Sequence, residues 1–261
     1  MSMKEMEMQD GVALVTGGAG GIGRAACLEF ARSGAKVVVV DIEWDGAERT
    51  AAEIRDAGGQ AIATRADVSQ TAEVQAYVKL TVDTFGRIDY FFNNAGTEGR
   101  VAPVAEYDEA VWDRVIGVNL KGVFLGLRYV LPVMIAQKKG AVVNTASVAG
   151  TLGSPNLAAY SASKHGVLGL TRSAAGEVGK LGIRVNAVCP GPIDTRMLQS
   201  LEKMNNPEDP GAIRRWNIGR NPMARYGEAE EVARVVVFLC SEGASFVNGA
   251  AWVIDGGRAA I

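Results

Sequence analysis

Short β-branched runs recur along this chain, and each is followed by a longer stretch with helical periodicity. "VALVT" (12–16), "KVVVVD" (36–41), "QAIATRAD" (60–67), "IDYFFNNAG" (88–96), "GAVVNTAS" (140–147), "IRVNAVCPG" (183–191) and "GAAWVIDGG" (249–257) read as strands. Helical patterns lie between them, through Arg32, in "WDGAERTAAEIRDAG", in "TAEVQAYVKLTVDTFG", over 106–138, over 159–179 and in "EAEEVARVVVFLCS". Strict β-α alternation predicts an α/β fold, a doubly wound parallel sheet with helices on both faces. Right-handed crossovers leave few topologies, and ligands of such sheets bind beyond the carboxyl ends of the strands. The junctions to inspect are therefore 16–23, 41, 66–68, 93–96, 145–153 and 189–195. The segment 196–217 breaks the alternation; its two prolines and mixed charge predict a mobile substrate flap.

Composition removes several function classes. A chain of 261 residues with 48% hydrophobic content has enough apolar material for a real core. The net charge of −2, without a long basic run, argues against a nucleic-acid partner. Cys27, Cys189 and Cys240 are scattered and lack metal spacing, and with a single histidine no metal site is expected. Odd, unpaired cysteines fit a reducing cytoplasm. The start, "MSMKEMEMQDG", has no apolar stretch of the kind a secretory signal needs. "GVFLGLRYVLPVMIAQ" is short and contains Arg128 and Pro132, so it reads as a buried helix rather than a membrane span.

"TGGAGGIG" (16–23) sits between the first strand and the first helix. Glycines at 17, 21 and 23 let the backbone approach a pyrophosphate, and the helix N-terminus offers unpaired N–H groups to it. A plain glycine turn has the same look. Asp41, 18 residues after Gly23, ends the second strand. A carboxylate there accepts hydrogen bonds from ribose hydroxyls and repels a 2′-phosphate, which favours NAD over NADP; the alternative is an Asp that caps a helix.

Tyr160 and Lys164 stand at i and i+4, on one face of a helix. A phenol with a pKa of about 10 exchanges protons poorly near neutrality, and a nearby ammonium favours its phenolate. The chain's one histidine, His165, falls at i+5 from the tyrosine and points away, so a packing or surface role is expected for it. Ser147 ends the fifth strand, where its hydroxyl could hold a carbonyl or carbinol oxygen beside Tyr160; it could equally form a turn. Asn119 is a poor helix former inside a helical stretch, which points either to a local kink or side chain–backbone bond or to a functional reason.

With these residues the chain resembles the short-chain dehydrogenase/reductase family over roughly residues 10 to 257. "TGGAGGIG" is similar to its nucleotide loop, "NNAG" (93–96) to its motif behind the adenine ribose, and "PGPIDT" (190–195) to its P-G-x-x-x-T segment. Asn119, Ser147, Tyr160 and Lys164 match its catalytic tetrad in order and spacing. The resemblance implies one Rossmann-type domain of about seven strands spanning 1–261. It also implies NAD (NADH) held by Gly17, Gly20, Gly21, Ile22, Gly23, Asp41, Ile42, Asp67, Val68, Asn93, Ala95, Gly96, Tyr160, Lys164, Pro190, Gly191, Ile193 and Thr195. Thr195 would hold the nicotinamide carboxamide. Tyr160 would be the general acid/base, Lys164 would lower its pKa and bind the ribose, Ser147 would orient the substrate oxygen, and Asn119 would anchor a relay water. Ala146 stands where many relatives carry a second serine, at a position that need not react.

For substrate, Ser147, Leu152, Ser154, Tyr160, Pro192 and Met197 are the expected contacts, with Thr97, Glu98, Leu198 and Leu201 nearby. Most are apolar. Arg214 and Arg215 read as solvated charge. A small, mostly apolar secondary alcohol or ketone fits. "FFNNAGTEGR", "VVNTASVAG", "SKHGVLGLTR" and "RYGEAEEVA" resemble a narrower group of NAD-dependent cyclic alcohol and ketone dehydrogenases. The alternatives are a 3-oxoacyl-carrier-protein reductase, disfavoured by Asp41, and a nucleotide-binding regulator without turnover, disfavoured by the complete tetrad. A homo-oligomer, a tetramer by family habit, is expected to pack through the helices at 106–138 and 159–179. The chain is expected in the cytoplasm, with neither nucleic acid nor membrane as partner.

Overall fold

The seven strands predicted from the alternation form one parallel sheet in the order β3-β2-β1-β4-β5-β6-β7 in a computed structural model that describes residues 8–260. The strands are β1 Val12–Thr16, β2 Lys36–Asp41, β3 Ala61–Arg65, β4 Tyr90–Asn93, β5 Gly140–Thr145, β6 Ile183–Pro190 and β7 Ala251–Ile254. Most of the opening segment read for a secretory signal lies outside the described residues.

The helices are α1 Gly21–Arg32, α2 Trp44–Asp56, α3 Thr71–Phe85, α4 Glu109–Ile116, α5 Gly122–Gln137, α6 Ala158–Val178, α7 Arg196–Asn205, α8 Pro210–Gly219 and α9 Ala229–Cys240. Because neighbouring strand residues face opposite ways, each strand feeds two cores. Ala13, Val15, Val37 and Val39 pack against α1, α2 and α9. Leu14, Val38, Val40 and Val142 pack against α3, α5 and α6. Burial on both faces explains why these strands are continuous apolar runs rather than alternating ones.

The strand order reverses between β1 and β4, which pair through Ala13–Tyr90 to Val15–Phe92. That crevice is where a doubly wound sheet receives its ligand. Two features bear on it. The helical stretch 106–138 is α4 and α5 joined by one π-helical turn, Gly117–Lys121, with Asn119 at its centre. The segment 196–217, expected as a flap, carries two helices, α7 and α8. Over Glu109–Gln137 the joined helix has the length and mean hydropathy, 1.4, of a membrane span. Val115, Val123, Leu127, Val130 and Met134 are buried, and those from α5 belong to the second core, as the reading of a buried helix required.

Candidate active site

The glycine loop is a close-packed backbone device. Gly17 and Gly21 sit at φ +71° and +51°, a region that disfavours side chains. A Cβ on Gly23 would fall 2.0 Å from the Gly17 carbonyl oxygen, so no other residue fits there. Gly20 faces open space. Ile22 packs against the first core. Asp41 ties the loop to the end of β2: Oδ2 accepts from the Ala19 N–H at 2.9 Å and Oδ1 from the Glu43 N–H at 3.0 Å, just ahead of α2. The bond to Glu43 is a turn ahead of α2, whose N-cap Glu43 has no side-chain cap, so Asp41 closes the loop rather than capping the helix. Arg24, the nearest cation after the loop, is paired with Glu53.

Thr16 is fully buried, and its Oγ1 accepts from the N–H groups of Asn94 and Ala95 at 2.9 and 3.1 Å. The Asn94 amide donates to the Thr16 carbonyl and accepts from the Thr145 hydroxyl at 3.1 Å. Asn94 thus ties the carboxyl ends of β1, β4 and β5, next to the Asn93 that the sequence reading placed at the cofactor. Asn93, expected at the cofactor, is turned into the core, where its amide donates to Val123 O at 2.9 Å and Asn144 Oδ1 at 3.2 Å. The period of two in β4 decides this: Asn93 faces α5, and the chain has left the strand by Asn94. With its side chain in the core, Asn93 has its backbone left to face the crevice.

Asp67 accepts from the Ser69 N–H at 2.9 Å and Val68 is buried against Gly122, so this pair closes the turn into α3 at the edge of the crevice. Ile42 is exposed beside it. Pro190 ends β6, and Gly191 lies so close to β7 that a Cβ there would meet the Asp255 Cβ at 2.6 Å. Ile193, also expected at the cofactor, has its side chain in the first core, so only its backbone is left to the crevice. Thr195 is the N-cap of α7, and its Cγ2 lies 3.4 Å from where a Cβ on Gly21 would sit.

On the facing side α6 presents Tyr160 and Lys164. Lys164 is 3% exposed, and its Nζ donates to the Thr145 carbonyl at 2.8 Å while lying 5.5 Å from the centre of the Tyr160 ring. Burial draws this ammonium down to about 8. The Tyr160 phenol is pushed up instead of down: burial raises it, the Ser147 hydroxyl beside it lowers it, and the Glu98 carboxylate raises it. In the chain alone, burial outweighs the lowering expected from the lysine, whose Nζ also donates to a carbonyl. Ser147 leaves β5 in extended backbone, accepts from the Ala149 N–H at 3.1 Å and donates to Pro190 O at 3.4 Å.

Asn119 is fully buried. Its amide accepts from the Thr97 N–H and donates to the Thr97 carbonyl, both at 2.8 Å, and also donates to Ser163 Oγ at 3.2 Å. The π turn widens the helix enough to aim this side chain at the loop after β4. The local departure from α-helix is a π turn, and the side chain–backbone bond is present with it at the site. Ser163, which the sequence reading missed, passes the link on to the Tyr160 carbonyl at 2.7 Å. Gly96 fits between, with Asn119 Oδ1 and Lys164 Nζ at 3.3 and 3.5 Å from any Cβ added there. His165 is exposed and bonds through Nδ1 to the Ser161 carbonyl, away from the tetrad.

Of the expected substrate contacts, Leu152 is half exposed on the turn after Ser147, Ser154 and Pro192 are partly buried, and Met197 lies in the first turn of α7. The two flap arginines are not free charge. Arg214 grips Asp194 with both terminal nitrogens and lies 4.5 Å over the Tyr226 ring, and Arg215 pairs with Asp209.

A sequence model described as Enoyl-(Acyl carrier protein) reductase matches residues 17–259. Levodione reductase of Leifsonia aquatica is 48% identical over 253 residues, covering 96% of this chain and 95% of the relative. Cyclohexanol dehydrogenase of Acinetobacter sp. (strain SE19) is 42% identical over 245 residues, 94% of this chain and 93% of the relative. A solved structure of levodione reductase superposes with a TM-score of 0.96 at 47% identity, covering 97% of this chain and 99% of that one. An NAD+-bound xylitol dehydrogenase superposes with a TM-score of 0.91 at 37% identity, covering 96% and 99%.

Proposed function

This chain belongs to the short-chain dehydrogenase/reductase family and is an oxidoreductase of alcohol and ketone groups, and from that premise we propose that it uses NAD to interconvert an apolar cyclic secondary alcohol and its ketone. The observation that carries this reading is the convergence of Ser147, Tyr160 and Lys164 at the carboxyl end of β5, opposite a glycine loop whose Asp41 faces the ribose end. The donor set fits a dinucleotide: backbone N–H groups at the start of α1 for the pyrophosphate, Asp41 for ribose hydroxyls, and Thr195 across from Gly21 for the nicotinamide end. When bound, the nicotinamide supplies the hydride acceptor or donor.

The chain's own residues do the rest. The Ser147 hydroxyl donates to the substrate oxygen and places it at the phenol. Tyr160 gives its proton to that oxygen as a ketone becomes an alcohol, and takes it back in the other direction. Lys164 keeps a positive charge under the site and Asn119 sets the spacing between α6 and the loop after β4. A phenol pushed up by burial is well stocked with its proton at neutrality, which suits ketone reduction; alcohol oxidation needs the phenolate and is expected to rise with pH.

Asp41 and the NAD+-bound relative both support NAD over NADP. Levodione reductase and cyclohexanol dehydrogenase among the relatives support a cyclic substrate. The carrier-protein reading draws on the description of the matching sequence model. Against it, Arg214, Arg215 and Arg225 around the flap are each paired with a carboxylate, so of the basic residues there only Lys203 and Arg220 are left outside an ion pair among the described residues. The reading includes a cytoplasmic homotetramer; Trp112, Phe124 and Ile135 on the outer face of α4 and α5 support association there. The test is a panel of cyclic and aryl secondary alcohols, hydroxysteroids and acyl thioesters, assayed by nicotinamide absorbance with NAD and NADP. Turnover of cyclic alcohols with NAD is expected; turnover of thioesters alone would overturn the reading.

A further inference from the structure

We propose that Arg214 is a positioning residue for the nicotinamide end of the site, acting through Asp194 to hold Thr195 in place. The proposal rests on the dinucleotide reading above and assigns a specific job to the flap.

Three consecutive residues at the exit of β6 carry it. Asp194 is gripped by Arg214 of α8. Thr195 starts α7 and faces Gly21 across the crevice. Arg196 pairs with Glu43, which follows Asp41 on the far side. Thr195 is thus flanked by two ion pairs of opposite polarity, one to the flap and one across the cleft.

The two pairs are not equivalent. Arg196 and Glu43 are 86% and 53% exposed as side chains and meet through a single contact of 3.1 Å, which water and salt screen. Arg214 and Asp194 are less exposed, and the guanidinium makes a two-pronged contact of the kind only arginine can make. Arg214 is itself held. It stacks on Tyr226, whose hydroxyl donates to the buried Glu202 of α7 at 2.7 Å and accepts from the Asn217 amide of α8 at 3.2 Å. The Asp194 backbone is fixed too, its N–H donating to the Gly227 carbonyl at 2.9 Å. The Arg214 charge holds the Asp194 carboxyl below the ordinary range, so the pair is intact at neutral pH. None of these groups hydrogen-bonds to the glycine loop or to Asp41. The network converges on one peptide, and its output is the place of the Thr195 hydroxyl.

The experiment compares two ligands of the whole protein, NADH and ADP-ribose, the second of which lacks the nicotinamide. Binding is measured by calorimetry for the native chain, Arg214→Gln, Asp194→Asn and the double variant. Either single change is expected to weaken NADH about tenfold, the scale of a lost charge-assisted contact, while ADP-ribose binding stays within about twofold. The double variant should lose no more than either single, because both remove one interaction. Parallel loss of both ligands would mean a merely structural role and overturn the proposal. So would unchanged NADH binding, or losses that add in the double variant. If the native chain binds neither ligand, the dinucleotide reading fails first, and this result is separate from the other three.

Discussion

The two halves of the crevice are held by different means. On the β1–β2 side, order comes from backbone: glycines at positive φ, a Gly23 that admits no Cβ, and one carboxylate that closes the loop. On the β6 side, order comes from long side chains that cross between elements, in the Asp194–Arg214 and Arg196–Glu43 pairs and the Glu202–Tyr226–Asn217 chain. A backbone device is rigid and indifferent to salt. A side-chain device is adjustable, and its strength depends on how much water reaches it.

Four changes would break or sharpen this contrast. Tyr160→Phe, between the halves, should lower kcat by about 10³-fold or more while NADH still binds, as expected for a lost acid/base; retained turnover would remove the tyrosine from its role. In the native chain the oxidation rate should climb on the alkaline side as the phenol ionises, and this limb should be absent from any residual activity of the variant. Gly23→Ala tests the backbone side, where the added methyl meets a carbonyl. Destabilisation of about 1–3 kcal/mol and loss of dinucleotide binding are expected, read by denaturant melts and calorimetry. Asp41→Ala should weaken NAD by about tenfold and narrow its lead over NADP, since it removes both the acceptor and the charge that repels a 2′-phosphate; a preference left unchanged would move discrimination elsewhere. Glu43→Gln tests the most exposed contact of the β6 side and should change NADH affinity by less than about twofold, an effect that added salt erases.

The same contrast sets how much could be read in advance. The glycine loop, the strand ends and the Tyr160–Lys164 spacing are local patterns, and the structure brings them together at one end of the sheet as read. What could not be read lies where a side chain's partner is far off in sequence. Asn93 and Asn94 are identical letters, and only the pleat of β4 sends one to the core and the other to Thr16. Arg214 looked solvated because its partner is 20 residues away, and the β5 carbonyl that Lys164 also bonds lies 19 residues from it.

The sequence by itself determined the alternation, and hence a parallel sheet buried on both faces, since 2.0- and 3.6-residue periods fix which residues are apolar. It also determined the loop that only glycine can form. The tertiary structure decided the protonation of the site and the anchoring of the flap. Both depend on distance and burial: an ammonium drawn down to about 8, a phenol pushed up, and an arginine locked between a carboxylate and a ring exist only once α6, α8 and the strand ends meet.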